Sequence, residues 1–193
     1  IGVRGRLREV MTQLGGKPIH PVLGLPGGVA RRVTSELQSE IRKVAAEAVD
    51  FARFTLETFD AIVLRNSGYV NLILSDYFTH RTYYMGLVDA SNQPNFYDGE
   101  LRVMSPAGDQ VARFLPSSYA DYIAERAEPW SYMKFCYLKT PGWQGFVDES
   151  ESGVYAVAPL ARLNAAEAMA TPRAQEAYQR YVATLGPKPI HHT

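Results

Sequence analysis

The strongest constraint on this chain is an unbroken helical period between residues 35 and 65. Leu37, Ile41, Val44, Ala48, Phe51 or Ala52, Leu56 and Phe59 recur at i+3 and i+4 spacing. Ser35 with Gln38 three residues on reads as a capping box. Arg42, Lys43, Glu47 and Glu57 lie off the apolar stripe. The spacing predicts an amphipathic helix of about seven turns that runs to Arg65, where Asn66-Ser67-Gly68 breaks it.

Other segments follow the same logic. Val3, Leu7, Val10, Met11 and Leu14 predict a helix over 4–14, ended by Gly15-Gly16. The Gly/Pro-rich stretch 15–28 carries Ile19, Val22, Leu23 and Leu25, too apolar for a solvated linker, and is expected as a buried or interface-lining loop. Residues 69–77 fit helix or strand. Tyr83–Val88 predicts a strand, Asp98-Gly99 a hairpin-type turn, and residues 101–104 and 111–114 two further strands around the turn Ser105-Pro106-Ala107-Gly108. Residues 83–115 therefore predict an antiparallel meander. Ser118 with Asp121 predicts a short helix through Ala127, and residues 154–157 a short strand. Thr171-Pro172 is an N-cap with an N1 proline, opening a helix to Leu185 that Gly186-Pro187 closes. The expected class is α+β, with long amphipathic helices at both ends and a small antiparallel meander between. It is read as one domain over 1–193: 1–65 helical with the loop 15–28, 80–160 mixed with antiparallel strands, and 171–193 helical.

Composition narrows function. Lys+Arg and Asp+Glu are both 20 among 193 residues, so a general electrostatic claim on nucleic acid or an anionic membrane is excluded. One cysteine excludes an internal disulfide framework, a four-thiolate zinc site and an iron–sulfur cluster held by this chain alone. No run of 18 apolar residues and no signal-peptide pattern is found. Ile1 in place of methionine, and an end just past His191-His192, are what a piece of a longer protein would show.

The chemistry-bearing residues form no familiar constellation. The histidines are His20, His80, His191 and His192, and no pair has the i, i+4 helical spacing of a zinc protease. Cys136 sits in Lys134-Phe135-Cys136-Tyr137, an apolar setting that favours an inert buried thiol. Neither a nucleophile elbow nor a phosphate-cradling glycine motif occurs. Glu125, Glu128, Asp148, Glu149 and Glu151 are numerous but unpatterned. The aromatic run 130–137 reads as core or interface packing. His20, between Pro18 and Pro21, is either a satisfied structural histidine or a group supporting a site from behind. On these grounds the chain is an α+β domain with no active site of its own, and neither catalytic residues nor metal ligands are assigned.

Several stretches resemble the large subunit of the nickel–iron hydrogenases, in its cytoplasmic bidirectional, NAD-reducing-like branch. They are Gly15-Gly16-Lys17-Pro18-Ile19-His20-Pro21, Pro26-Gly27-Gly28-Val29, Tyr122-Ile123 with Glu125, Glu128-Pro129-Trp130-Ser131-Tyr132-Met133-Lys134-Phe135, Tyr137-Leu138-Lys139, Val157-Ala158-Pro159-Leu160-Ala161-Arg162-Leu163-Asn164, and Thr171-Pro172 with Ala174-Gln175. Ala158 stands where that family usually has glycine, and Cys136 where proline is common.

The resemblance implies a central piece of that mainly helical, catalytic subunit, which interconverts H2 with protons and electrons. The family's two Cys-x-x-Cys pairs are absent, so the nickel–iron centre would belong to the full-length subunit, with none bound here and no activity in this piece alone. The partners implied are a flavin/NAD or other electron-accepting module and an iron–sulfur small subunit, with no nucleic acid and no membrane. Gly15, Gly16, His20, Pro21, Gly27 and Gly28 become candidates for the small-subunit interface, with His20 near its proximal cluster. The competing expectation is a stand-alone, hydrogenase-derived binding or assembly domain without activity. A chain cut from such a subunit exposes apolar surface and is expected to self-associate.

Overall fold

A computed structural model of the chain describes residues 2–192. Residues 1 and 193, on which the expected 1–193 span and 171–193 segment end, lie outside the described residues. The backbone forms two compact units, divided after Val63.

In the first unit, α1 spans Gly2–Gly15 and α2 spans Ser35–Phe59. Arg6 ties the two helices together by pairing with Glu40 at 2.8 Å and with Glu47. The α2 cap is Thr34, whose hydroxyl accepts from Leu37 N at 3.3 Å. This corrects the capping box one residue back: Thr34 keeps the extended backbone a cap requires, whereas Ser35 is already helical. A π-helical turn, Asp60–Leu64, follows α2. Between the helices lie two short paired strands, β1 (Gly24–Leu25) and β2 (Gly28–Val29). Along α2, Val44 is buried, but Val49, Phe51, Phe54 and Leu56 are exposed.

The second unit opens with α3 (Ser67–Ile73), capped by Asn66, whose side chain accepts from the N–H groups of Gly68 and Tyr69. Asn66 thus starts a helix as well as ending one. The unit is built on a four-stranded sheet of order β5-β4-β3-β8. Its strands are β3 (Tyr83–Val88), β4 (Glu100–Met104), β5 (Gln110–Phe114) and β8 (Tyr155–Ala156). The first three pair antiparallel, as the meander predicts, and β8 joins β3 in parallel. Side-chain alternation along β3 divides the core. Tyr84 and Val88 face α5 (Ala158–Ala165) with Met104, Ala161, Ala165 and Ala166. Tyr83 and Met85 join Val103, Phe114 and Leu138 on the opposite side. At Gly86 an added Cβ would lie 2.9 Å from Ala165 Cβ, so glycine sets how closely α5 approaches the sheet. The helix α5 has no counterpart in the sequence expectations. Its Pro159 sits in the first turn, where a missing N–H costs nothing.

The short helix expected through Ala127 stops at Tyr122 (α4, Tyr119–Tyr122), and Ile123–Ala127 is strand β6. It pairs antiparallel with β7 (Lys134–Leu138), from Ile123↔Leu138 to Ala127↔Lys134. That non-local ladder, with Tyr122 stacked on Phe114 at 4.1 Å, overrides the local helical signal. Asp98-Gly99 does not make a two-residue hairpin. It closes a longer connection in which Asn95 Oδ1 accepts from the N–H groups of Tyr97 and Asp98. Helix α6 (Pro172–Leu185) is capped by Thr171 and ends at Gly186 with φ +101°, as expected.

Candidate functional site

The residues singled out at 15–28 form one shaped surface. Gly15 ends α1 buried, and its carbonyl accepts from Val22 N at 3.1 Å. A Cβ on Gly15 would stand 2.3 Å from Pro21 Cβ, so Gly15 and Pro21 are in direct contact and only glycine fits. Gly16 turns the chain at φ +84° while its N–H still donates to Thr12 O. Pro26 and Gly27 occupy the centre of the β1–β2 turn. Gly27 has φ +83°, which a proline–glycine turn of type II requires. Gly28 pairs with Leu25 across it. His20 has φ 51° and an exposed ring, with no hydrogen-bond partner among the described residues.

The loop is not buried within the first unit, which corrects one half of its expected character. Ile19, Leu23, Leu25 and Val29 are exposed, Val29 to 71%. The Gly15–Pro21 contact and the Pro26-Gly27 turn consume the loop's backbone preferences and leave these apolar side chains outward.

In the second unit, Trp130, Phe135, Trp143 and Phe146 form a ring cluster beside β7, with Phe135–Phe146 and Trp143–Phe146 centroids 4.9 Å apart in edge contact. Trp130 and Phe146 stay exposed. Cys136 is exposed as well, which corrects its expected burial: it shares a face of β7 with Leu138, but the core covers only the Leu138 end of the strand. Burial, with Cys136 alongside, pushes the Tyr155 hydroxyl up to about 12.

Sequence reasoning missed a second gathering. His80 Nδ1 stands 2.5 Å from Asp148 Oδ1, and Tyr84 Oη 2.6 Å from His191 Nδ1. The Thr79↔His192 bridge and the 3.0 Å bond from His80 N to His191 O hold the segment after α6 against the start of β3. Burial lowers the His191 pKa and raises that of Tyr84 to about 12. Only the tertiary bridge unites positions more than a hundred residues apart. Among the described residues no three or more His, Cys, Asp or Glu converge to hold a metal. The first unit therefore offers a shaped apolar loop, and the second an aromatic patch and a clasped segment after α6.

No family model matches the chain. It is 43% identical over 184 residues to an iron-sulfur subunit of the F420-non-reducing hydrogenase of Archaeoglobus profundus, covering 95% of this chain and 38% of that protein. It is 36% identical to a vhu subunit of the F420-non-reducing hydrogenase of Methanocaldococcus jannaschii (96% and 42% covered). It is 30% identical to the beta subunit of the NAD-reducing hydrogenase HoxS of Cupriavidus necator (90% and 35%). Its fold superposes on a chain of an NAD+-reducing [NiFe]-hydrogenase in the H2-reduced state with TM-score 0.71 and 26% identity, over 94% of this chain and 41% of that one. The chain spans about two fifths of the length of the curated relatives it matches.

These names correct the finer expectations. The relative at 43% identity is named an iron-sulfur subunit, so assignment to the nickel–iron large, catalytic subunit is withdrawn. With it go the H2-splitting activity placed in that subunit, its nickel–iron centre, and the expected partnership with a small subunit. The stand-alone binding or assembly domain gains no support either, since these relatives are hydrogenase subunits. An iron–sulfur cluster, which the name of that relative suggests, does not fit the residues here. Such clusters are held by several thiolates, and this chain has the single, outward-facing Cys136.

Proposed function

We propose that this chain is a segment of a longer hydrogenase subunit that contributes scaffold and a docking surface to an electron-transferring complex, rather than redox ligands of its own. The observation that carries this reading is similarity along nearly the whole chain to hydrogenase subunits, combined with the outward apolar loop 19–29. Gly15, Gly16, Pro21, Gly27 and Gly28 shape that loop, and His20 presents its ring from it. The partner is another subunit of the same complex, and NAD-linked chemistry is the electron-accepting route favoured by the likeness to NAD-reducing hydrogenases. Among the described residues no helix is long and apolar enough to cross a membrane, and a cytoplasmic complex is the reading that the likeness to the NAD-reducing hydrogenase supports.

The test is co-purification. Leu23→Asp and Leu25→Asp place a charge on exposed positions of the loop without touching the first unit's interior. In the full-length subunit each should release the other subunits and abolish H2-dependent dye reduction while leaving the far-UV circular dichroism unchanged. An intact complex with both variants would refute the docking role.

A further inference from the structure

A cavity of about 250 Å³ opens where the end of β4, the end of α5 and the segment after α6 meet. Arg102, Ser105, Glu167 and Lys188 line it. Arg102 is 7% exposed, and its guanidinium is fixed by bonds to Gln110 Oε1 (2.7 Å), Ala165 O (2.9 Å) and Glu167 Oε1 (2.9 Å). Glu167 Oε1 is shared with Asn92 Nδ2 at 3.0 Å. Ser105 Oγ accepts from Asp109 N, which leaves its O–H free to donate.

Lys188 is the unbalanced group. Its ammonium lies 5.2 Å from the centre of the Tyr178 ring, and among the described residues it has no ion pair and no hydrogen-bond acceptor. Three N–H donors on a half-buried cation ordinarily find oxygen acceptors. Two cations face the cavity against one carboxylate, and that carboxylate is already engaged. Burial and the nearby Arg102 lower the Lys188 pKa, with Glu167 opposing them.

We propose that this cavity binds a small oxyanion of the phosphate or short-carboxylate kind, held directly by Lys188 and the Ser105 hydroxyl with Arg102 supplying field from behind. The volume is below the roughly 300–1,000 Å³ of sites for drug-sized ligands, which suits a small ion. The chemistry favours an acceptor-only ligand, since Lys, Arg and a free hydroxyl all donate.

Equilibrium dialysis of the full chain against radiolabelled inorganic phosphate, at ionic strength fixed with chloride, tests this. Saturable binding at one site is expected, weakened about tenfold by Lys188→Met, as loss of a charge-assisted contact implies. Lys139→Met, whose amine bonds Ala120 O elsewhere in this unit, should change nothing. Malonate as competitor separates the two sources: displacement of phosphate assigns a site open to carboxylates, and no displacement a site for phosphate. No saturable binding of either anion, or binding unchanged in Lys188→Met, overturns the proposal. Should Lys188→Met fail to fold, acetylation of the unaltered chain decides. Phosphate should slow modification of Lys188 several-fold and leave Lys139 unaffected, and equal rates with and without phosphate overturn the site.

Discussion

The Asn164 side chain clasps the backbone of Ile190 from both sides. Its Nδ2 donates to Ile190 O at 2.7 Å, and its Oδ1 accepts from Ile190 N at 2.8 Å. Asn164 is 4% exposed and Ile190 1%, so each bond satisfies a backbone group that has lost its water. The pair fastens the segment after α6 onto the end of α5, and it gives a physical role to the asparagine that closes the Ala158-Pro159-Leu160-Ala161-Arg162-Leu163-Asn164 motif.

Asn164→Leu should destabilise the second unit by on the order of 2–4 kcal/mol, because two buried backbone groups lose their partners. Asn164→Asp keeps the acceptor but turns a second carboxylate oxygen toward Ile190 O, so it should approach the native stability only in acid, where the protonated group can donate. Urea unfolding gives the ranking. Hydrogen exchange at the Ile190 amide should show protection lost in the leucine variant first.

The same segment should respond to acid. Burial holds the folded His191 pKa below its ordinary value near 6.5, with Arg81 and His192 adding to the effect and Glu149 opposing it. Below about pH 6.5 the unfolded chain therefore binds the proton that the folded chain refuses. The stabilisation is complete above that pH, declines as pH falls through it, and levels off below the folded pKa. Denaturant midpoints taken between pH 5 and 8 should fall toward acid. His191→Gln should flatten that dependence, and Tyr84→Phe should loosen the segment across the whole range.

Gly15→Ala should disrupt the loop after α1, since its Cβ would lie 2.3 Å from Pro21 Cβ. Strain on the order of 1–3 kcal/mol is expected, read as a lower melting temperature of the first unit. Gly27→Ala has open space around the new Cβ but must hold φ +83°, a cost of roughly 1–2 kcal/mol. Both should weaken subunit co-purification, Gly15→Ala the more.

In isolation the chain should self-associate. Phe51 and Phe54 on α2 are exposed, Phe54 to 61%, and contiguous exposed apolar surface of this kind drives association. Light scattering at rising concentration should report oligomers, and Phe54→Glu should shift the distribution toward monomer. A clean monomer at high concentration would contradict the expectation.

His20→Ala tests the loop's one titratable ring. In the assembled complex it should slow H2-dependent dye reduction by loosening the loop's contact with its partner subunit. An unaltered rate would confine His20 to the surface.

Much of the framework was legible because its signals are local. Thr171-Pro172 and Gly186 bound α6 through backbone preferences that neighbours cannot change. The apolar run Tyr83–Val88 and the turn at Ser105–Gly108 announce the meander. At the start of the loop, Gly15-Gly16 was readable as the end of α1 for the same reason: the chain leaves the helix there through a positive φ at Gly16, which selects glycine. The reading failed at residues 123–127, where a helical cap signal lost to pairing with 134–138. It also failed at Cys136, whose apolar neighbours in sequence are not its neighbours in space.

The sequence by itself determined the bounds of α6 and, to within two residues, of α1, the turn at residues 105–108, and that the span lacks the thiolates for a metal cluster. These are properties of single residues and their near neighbours. Tertiary structure decided that β8 pairs with β3, that Asn164 grips Ile190, that Lys188 stands beside Arg102, and that the apolar side chains of the 19–29 loop face outward. Each of these depends on residues distant in the chain being brought together or left uncovered, and burial and charge balance are set only by that assembly.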